Sequence, residues 1–236
     1  CTRGGFRRAG HLRTFRLPGG GQAVREPRRA ALGVLHALFG TGFADSGAAC
    51  LDAFAPAERA VLGQMLDRGV NSPLTSSAGR LFDAAASLLG LRQTAGFEGQ
   101  AAMAVQFAAE AADAKDHYPF ALREADSAVV VDWGPLVRAM LDDLRQGRPA
   151  PVIARMFHNT LAEAILAVAG ALGETRIVLA GGCFQNRLLL ELTVPHLRRA
   201  GLGVWWPQQV PPNDAGIALG QAAAACARRQ EDIPCA

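Results

Sequence analysis

The feature that most constrains the fold is a pair of glycines between an apolar segment and a helical segment. Residues 177–180 are an apolar run that predicts a short buried strand. Gly181 and Gly182 follow, and adjacent glycines let the backbone turn sharply with no Cβ near a bound group. A helix is predicted next, with Asn186 in its first turn, where free backbone N–H groups favour anions such as phosphate. Spacing alone leaves open a phosphate-binding turn and an ordinary strand-to-helix turn.

A second strand-to-helix unit follows the first. Residues 202–206 predict a short strand and residues 216–229 predict a helix, with three prolines at positions 207, 211 and 212 between them. Asp214 lies at the start of this helix, in the tetrad PNDA that begins 22 positions after Leu190. A carboxylate there either caps the helix, which is the commoner use, or binds a hard cation.

Composition indicates one soluble globular unit with a good core. The chain has 236 residues, of which 50% are hydrophobic, and it contains neither a sequence repeat nor a low-complexity tract. No charged segment with an apolar core follows Cys1, and no apolar run approaches the roughly 18 to 20 residues that span a bilayer. We therefore expect a cytoplasmic protein with no membrane segment. The five cysteines form no CxxC pair and indicate neither a zinc ribbon nor a disulfide framework.

Positive charge is concentrated at the N-terminus. Residues 1–29 hold eight arginines and one acid, Glu26, for a charge of +7, while the remainder carries −4. Such a segment is compatible with a nucleic-acid arm. Its arginines alternate with apolar residues in a strand-like pattern over residues 9–17, and no nucleic-acid-binding module follows, so the sequence argues against that use.

The remaining periodicity predicts a helix-rich α/β chain. A single strand is expected over residues 9–17, a turn over 18–21, and a further strand over 129–132. Helices are expected at residues 27–39, 56–68, 77–89, 99–112, 135–145 and 151–172. Residues 26–125 are thus mainly helical, and residues 126–236 form a strand-containing part.

One helix start in the helical part carries a possible ligand residue. Thr75, Ser76 and Ser77 precede Gly79 and then Asp83. The simple interpretation is that a hydroxyl caps the helix, Gly79 lies in its first turn, and Asp83 is a solvated acid near its start.

Five sequence blocks resemble one family, in the order in which that family has them. The blocks are NSPLTSSAGRLFDAAASLLGL, FEGQAAM, RMFHNTLAEAI, GGCFQNRLLLE and VPPNDAGIALGQ. They look like the C-terminal part of the HypF-type carbamoyltransferases of hydrogenase maturation, whose last domain is similar to the threonylcarbamoyl transferases of tRNA modification. The resemblance implies part of an actin-like (ASKHA) nucleotide-binding domain with a large helical insertion. Residues 1–236 would be the C-terminal portion of one carbamoyltransferase domain.

By the same resemblance, particular residues acquire expected roles. Gly181, Gly182 and Asn186 would hold the nucleotide, and Asp214 would bind a divalent metal, whether iron, zinc or magnesium. Asp83, in the helix start that contains Gly79, would accept a ribose hydroxyl. Gly99 would let the sugar approach closely, and Glu98 would be a further residue of the nucleotide site. Where the family commonly has glutamates, this chain has Ala104 and Gln106, which puts a second acidic contact in doubt.

Two residues near these blocks invite a catalytic interpretation that the pattern does not favour. His158 lies on an apolar helix, where a hydrogen-bonded structural histidine is commoner than a general base. Cys183 lies in the glycine turn, where a helix N-terminus can lower a thiol pKa, but a small residue filling a tight turn is the simpler interpretation.

The resemblance also implies a reaction. Carbamoyl phosphate and ATP would give carbamoyl adenylate, and the carbamoyl group would pass to the C-terminal cysteine of a HypE-type maturation protein, later becoming a cyanide ligand of nickel-iron hydrogenase. The family's metal-binding histidine pair, its first lobe and its zinc-finger module would precede Cys1, so a fragment that is inactive alone is expected. Two alternatives stay open: an antibiotic O-carbamoyltransferase or tRNA threonylcarbamoyl transferase of the same fold, and a non-catalytic nucleotide-binding or docking module.

Overall fold

Helices dominate the chain. The computed structural model describes residues 6–231, so Cys1, Arg3 and Cys235 lie outside the described part. Within it, the helices are α1 (Gln22–Arg25), α2 (Pro27–Phe39), α3 (Pro56–Arg68), α4 (Ala78–Leu88), α5 (Gln100–Glu110), α6 (Gly134–Arg145), α7 (Ala150–Ala171), α8 (Arg187–Arg199) and α9 (Ile217–Glu231). The strands are β1 (Gly10–Leu12), β2 (Phe15–Arg16), β3 (Leu74–Thr75), β4 (Ala121–Ala125), β5 (Ala128–Asp132), β6 (Arg176–Val178) and β7 (Gly203–Trp205).

The strands of the described residues form three small sheets. β1 pairs in parallel with β5, and β5 pairs antiparallel with β4. β2 and β3 form an antiparallel pair, and β6 and β7 a parallel pair in which Ile177 lies opposite Val204. The mixture of parallel strand pairs with many helices confirms the predicted helix-rich α/β class.

The predicted helices are found, whereas the prediction of one strand over residues 9–17 is wrong. Residues 9–17 do not form one strand, because the chain leaves β1 at Arg13, whose carbonyl accepts a hydrogen bond from Trp133 Nε1 at 2.7 Å, and enters a different sheet as β2. The segment 26–125 also contains two strands, β3 and β4, which the sequence analysis missed. β4 joins β5 through Asp126 and Ser127, which both have positive φ, as a two-residue hairpin turn requires.

One main core joins the two predicted parts of the chain. It is built from apolar side chains of α2, α4, α5, α6 and α7. Phe82 of α4 and Phe157 of α7 meet edge to face with ring centroids 5.1 Å apart, so the helical segment packs directly on the strand-containing part. A smaller cluster of Leu179, Val194 and Leu197 holds α8 against the β6–β7 sheet.

α7 is the longest helix and belongs to this core. Its 22 residues are long and apolar enough to cross a membrane by length and composition, a feature that the sequence analysis missed. Its side chains nevertheless pack in the main core, and buried His158 and Thr160 make internal hydrogen bonds. These contacts are those of a core helix.

The β6 strand is more exposed than predicted. Leu179, just after it, is buried, but Val178 is 68% exposed. β6 pairs only with β7, and β1 only with β5, among residues 6–231. The groove of about 1070 Å³ lined by both β1 and β6 is mainly apolar and includes Ile165, Val178 and Trp205. The prediction of a buried strand is wrong because no described element covers this side.

The close approach of α2 to β2 predicts a strong effect of one substitution. A Cβ on Gly33 would lie 1.9 Å from the carbonyl oxygen of Arg16. Gly33→Ala should therefore destabilise the chain by roughly 1 to 3 kcal/mol or more, because helix and strand must separate. The control Gly170→Ala in α7, where no atom lies within 4 Å of the new Cβ, should be neutral or stabilising by up to about 1 kcal/mol. Urea unfolding measures both, and equal effects would contradict the packing argument.

Candidate nucleotide-binding site

The glycine turn lies against the loop that precedes α9. Gly181 has φ +98° and ψ 160°, a conformation essentially restricted to glycine, and its N–H donates to Pro212 O at 2.7 Å. Residues Gly182–Gln185 then form a 3-10 turn before α8. A Cβ on Gly182 would meet nothing closer than 3.9 Å. The two predicted strand-to-helix turns are thus adjacent, and a surface pocket of about 360 Å³ lies between them, lined in part by Gly181, Asn213 and Asp214.

Asn186 is buried and both ends of its side chain are used within the protein. It is the N-cap of α8, one residue outside the helix rather than in its first turn. Its Oδ1 accepts the N–H of Leu189 at 2.9 Å, and its Nδ2 lies 3.0 Å from His158 Nε2. The part of this turn available to an anion is therefore the backbone.

Asp214 is not the residue that caps the C-terminal helical segment. The cap is Asn213, whose Oδ1 accepts the N–H of Ala215 at 3.2 Å. Asp214 begins the 3-10 turn Asp214–Gly216 and is exposed at the pocket between the two turns. A hard cation prefers several oxygen ligands, and among residues 6–231 no group of three or more His, Cys, Asp or Glu side chains is suited to hold a metal. The described residues therefore do not make a metal site by themselves.

The helix start at Ser77 has the predicted cap, but Asp83 is not a solvated acid. Ser77 Oγ accepts the N–H of Arg80 at 3.4 Å, and Gly79 lies in the first turn of α4. Asp83 is only 3% exposed, so the interpretation of a surface acid is wrong. Periodicity does not reveal this, because α2, α5 and the glycine turn all contact α4 and every residue from Leu81 to Leu88 is buried.

Asp83 keeps an unused hydrogen-bonding oxygen. Arg80 lies 2.8 Å from its Oδ2, but the two groups are not aligned as a hydrogen bond, and this oxygen has no donor among the described residues. Burial raises the pKa of Asp83 to about 6, with Arg80 lowering it and Glu98 raising it further. A buried carboxylate with a free acceptor suits a ligand that donates hydroxyl groups.

The residues predicted around the sugar approach one another. Gly99 begins α5 with φ +83°, and the adjacent Glu98 is exposed and acts electrostatically on Asp83. Burial, with a further contribution from Asp83, raises the pKa of the Cys183 thiol against the opposing effect of Arg80. The helix α4, which carries Asp83, contacts both α5 and the 3-10 turn that contains Cys183. A thiol with a raised pKa is a poor nucleophile, which supports the packing role of Cys183.

The N-terminal arginines are tied to the rest of the chain. Arg13 pairs with buried Asp132 at 3.1 Å, and Arg28 and Arg29 pair with Glu26. Burial of Glu26 would raise its pKa, but hydrogen bonds from Arg29, Gln22 and Arg28 outweigh burial and lower the pKa to about 2. These arginines stabilise the fold and do not form a continuous surface for a polyanion.

Comparisons with known proteins bear on the family. A model of the carbamoyltransferase Kae1-like domain, second subdomain, matches residues 1–221. The chain belongs to the HypF carbamoyltransferase family. The carbamoyltransferase HypF of Synechocystis sp. is 37% identical over 97% of this chain, and HypF2 of Cupriavidus necator is 36% identical over 92%. The chain covers 31% and 30% of those two proteins, so it spans about a third of their length.

The fold is also that of HypF. A crystal structure of full-length HypF in the phosphate- and nucleotide-bound form matches with a TM-score of 0.88 at 32% identity, covering 95% of this chain and 29% of that chain. This match confirms the predicted actin-like, Kae1-like class of fold.

The burial of Asp83 predicts a distinctive pH dependence. The pKa of Asp83 is about 6 in the folded chain against 3.8 for a solvent-exposed carboxyl, as in the unfolded chain, so the folded state holds the proton more tightly between these values. The free energy of unfolding should therefore fall as pH rises from about 4 to 6, by at most about 3 kcal/mol. Asp83→Asn removes this contribution, so its stability relative to wild type should improve with rising pH. The change of this stability difference with pH decides the test. Loss of the carboxylate beside Arg80 also alters the free energy of unfolding of the variant, but by about the same amount at every pH.

Urea unfolding at several pH values measures this difference. Asp142→Asn, which removes an exposed carboxylate, is the matched control and should show a much smaller slope. A difference between wild type and Asp83→Asn that does not change from pH 4 to 6 would contradict the assignment.

Proposed function

We propose that this chain is the nucleotide-binding C-terminal portion of a carbamoyltransferase that uses carbamoyl phosphate and ATP. The observation that carries the proposal is the contact between α4, which holds the buried carboxylate of Asp83, and the 3-10 turn that follows Gly181, within a chain of the HypF family. The nucleotide-bound state of a structural relative supports the ligand class. Carbamoyl adenylate would be the intermediate held here.

The proposed roles follow from what each residue has available. The backbone of Gly181 and Gly182 would hold phosphate oxygens, with Asn186 shaping the turn rather than touching the ligand with its side chain. Asp83 would accept ribose hydroxyls near Gly99, with Gly79 in the helix start that carries it. Glu98 would lie beside the sugar.

Asp214 would be one ligand of a divalent metal whose other ligands come from outside the described residues. Its exposure beside the turn fits this role, and Asn213 rather than Asp214 serves as the cap. Such a cation would neutralise phosphate charge. The protein's own contribution is to orient the mixed anhydride and to limit its contact with water.

The finer steps form part of the same proposal. The carbamoyl group would pass to the C-terminal cysteine of a HypE-type maturation protein in the cytoplasm, for synthesis of the hydrogenase cyanide ligand. A carbamoyl or threonylcarbamoyl transferase with another acceptor would bind the same nucleotide but would not modify such a cysteine. A non-catalytic docking module would bind nucleotide without consuming carbamoyl phosphate.

The glycine turn offers a direct test of nucleotide binding. Gly182→Ala places a methyl group where a phosphate would approach, although no protein atom lies within 3.9 Å. It should weaken ATP binding roughly tenfold, about 1.4 kcal/mol, with little change in stability. Gly181→Ala forces alanine into a glycine conformation and should cost about 1 to 3 kcal/mol of stability. Calorimetric titration with ATP, with Gly170→Ala as control, measures the affinities. Unchanged affinity in folded Gly182→Ala would remove the turn from the site.

We further propose that this chain is half of one domain whose other half covers the apolar groove between β1 and β6. The exposed side chains there, Val178 and Trp205, are 68% and 54% exposed, and burying each would contribute about 1.5 to 3 kcal/mol. Open strand edges and an apolar groove are typical of a surface that pairs with another part of the protein. The limited share of the relatives that the chain covers is consistent with this arrangement.

Paired substitutions test the arrangement. In the longer protein, Val178→Glu should destabilise by about 3 kcal/mol or more, because a carboxylate would be buried without a partner. In residues 1–236 alone it should change stability by less than about 0.5 kcal/mol, because the side chain is exposed. Val61→Glu on α3, 57% exposed, is the matched control and should be nearly neutral in both proteins. Unfolding by urea gives the values, and a neutral Val178→Glu in the longer protein would rule out cover by the other half.

A further inference from the structure

His158 is completely buried at the junction of three helices. It lies on α7, with Nδ1 2.8 Å from the carbonyl oxygen of Ala154 and Nε2 3.0 Å from Asn186 Nδ2. The ring of Phe82 on α4 packs against it edge to face, with centroids 5.3 Å apart. Asn186 in turn caps α8 through Leu189. With 0% exposure, the imidazole has no access to a substrate.

The hydrogen bonds of this group fit only one arrangement of protons. A carbonyl oxygen only accepts, so Nδ1 of His158 must carry the hydrogen. The ring is then neutral and its Nε2 accepts from Asn186 Nδ2, which leaves Oδ1 of Asn186 for the N–H of Leu189. If the imidazole were protonated, two donors would face each other. If the Asn186 amide then turned over, its NH₂ would face the N–H of Leu189, which is again a donor.

The charged surroundings agree with a neutral ring. Burial lowers the pKa of His158 to about 4, and Arg155 on α7 lowers it further. The Ala154 carbonyl and Glu110 on α5 act in the opposite direction without outweighing burial.

The Asn186 amide is connected to the glycine turn through the backbone. Asn186 N–H donates to Cys183 O at 3.2 Å, and Phe184 N–H donates to Gly181 O at 3.0 Å, so the residue that caps α8 also closes the 3-10 turn. His158 meanwhile contacts Phe82, the neighbour of Asp83. The imidazole thus lies between the helix that carries the buried carboxylate and the turn whose backbone faces the surface pocket.

We infer that neutral His158 is a positioning residue, which fixes the Gly181–Gln185 turn relative to Asp83 by orienting the Asn186 amide. It acts through Asn186 and takes no part in proton transfer. The effect on nucleotide affinity rests on the proposed function, whereas the effect on the turn does not.

Nuclear magnetic resonance of the imidazole nitrogens tests the arrangement directly. In the wild-type chain, His158 should be the neutral tautomer with the proton on Nδ1 from pH 8 down to pH 5. Asn186→Asp keeps a good cap but replaces the NH₂ by a carboxylate oxygen, so the ring should become protonated at pH 7. A protonated wild-type ring at pH 6, or a neutral ring with the proton on Nε2, would overturn the inference.

Two further measurements separate positioning from general stability. His158→Phe removes the ring nitrogen that accepts from the Asn186 amide. The backbone amide resonances of Gly181 and Gly182 should therefore shift in His158→Phe, and they should also shift in Asn186→Asp. Thr193→Val is the matched control, because Thr193 is equally buried and donates within α8 to Leu189 O at 2.7 Å. Its glycine-turn resonances should not move. Turn resonances in Asn186→Asp and His158→Phe that match those of the control would refute the positioning role.

ATP titration completes the test. Both variants should bind roughly tenfold more weakly than wild type, and Thr193→Val should bind as wild type does. If the turn moves but ATP affinity does not change, His158 has no positioning role for the ligand. If wild type binds no ATP, the proposed function fails, while the resonances of the imidazole and of the glycine turn still decide how His158 acts.

Discussion

The packing of Phe82 against Phe157 and His158 determines where the site residues lie. These three rings meet at centroid distances of 5.1 to 6.0 Å in edge-to-face contacts, which fix α4 on α7 in one orientation. Asp83 follows Phe82 on α4, which α2, α5 and the glycine turn also contact, and every residue from Leu81 to Leu88 of this helix is buried. Asn186 reaches the same cluster from α8. A displacement of either helix would break an aromatic contact and leave buried polar groups without partners, which is costly.

Local sequence signals predicted the helices, but they did not predict the breaks and turns of the strands, which depend on contacts with distant residues. Proline starts α2 and α3, and their observed bounds agree with the predicted ones, because proline at a first helical turn acts through the local backbone. The break between β1 and β2 depends on Trp133, which is distant in sequence, and no local pattern signals it. The hairpin turn at Asp126 and Ser127 lacks the glycine that usually reveals such turns.

The electrostatics of the candidate site could not be predicted from the sequence. The family resemblance implied that Asp83, Glu98 and the glycine turn act together, and in the structure the charge of Asp83 interacts with Glu98 and with Cys183 of that turn. The ion pair between Arg80 and Asp83 lies within α4, whereas the burial of Asp83 and the use of the Asn186 side chain depend on contacts between elements that are distant in sequence. A hydrogen-bonded histidine was the favoured interpretation of His158, but its partners lie 4 and 28 positions away, and only the nearer one follows from helix geometry.

The pKa of Asp83 lies in a range where a bound ligand would change the protonation of its carboxyl group. Burial disfavours its carboxylate form, and the misaligned Arg80 compensates only in part, so the pKa lies near 6. Hydrogen bonds donated by ribose hydroxyls would stabilise the charged form and lower this pKa, because they act on the carboxylate and not on the acid. The free energy lost by burying an oxygen that only the misaligned Arg80 faces would thus be partly recovered on binding. A surface aspartate could not offer this, since water already satisfies it, so in the proposed role burial would make this short acid selective for a ligand rich in hydroxyl groups.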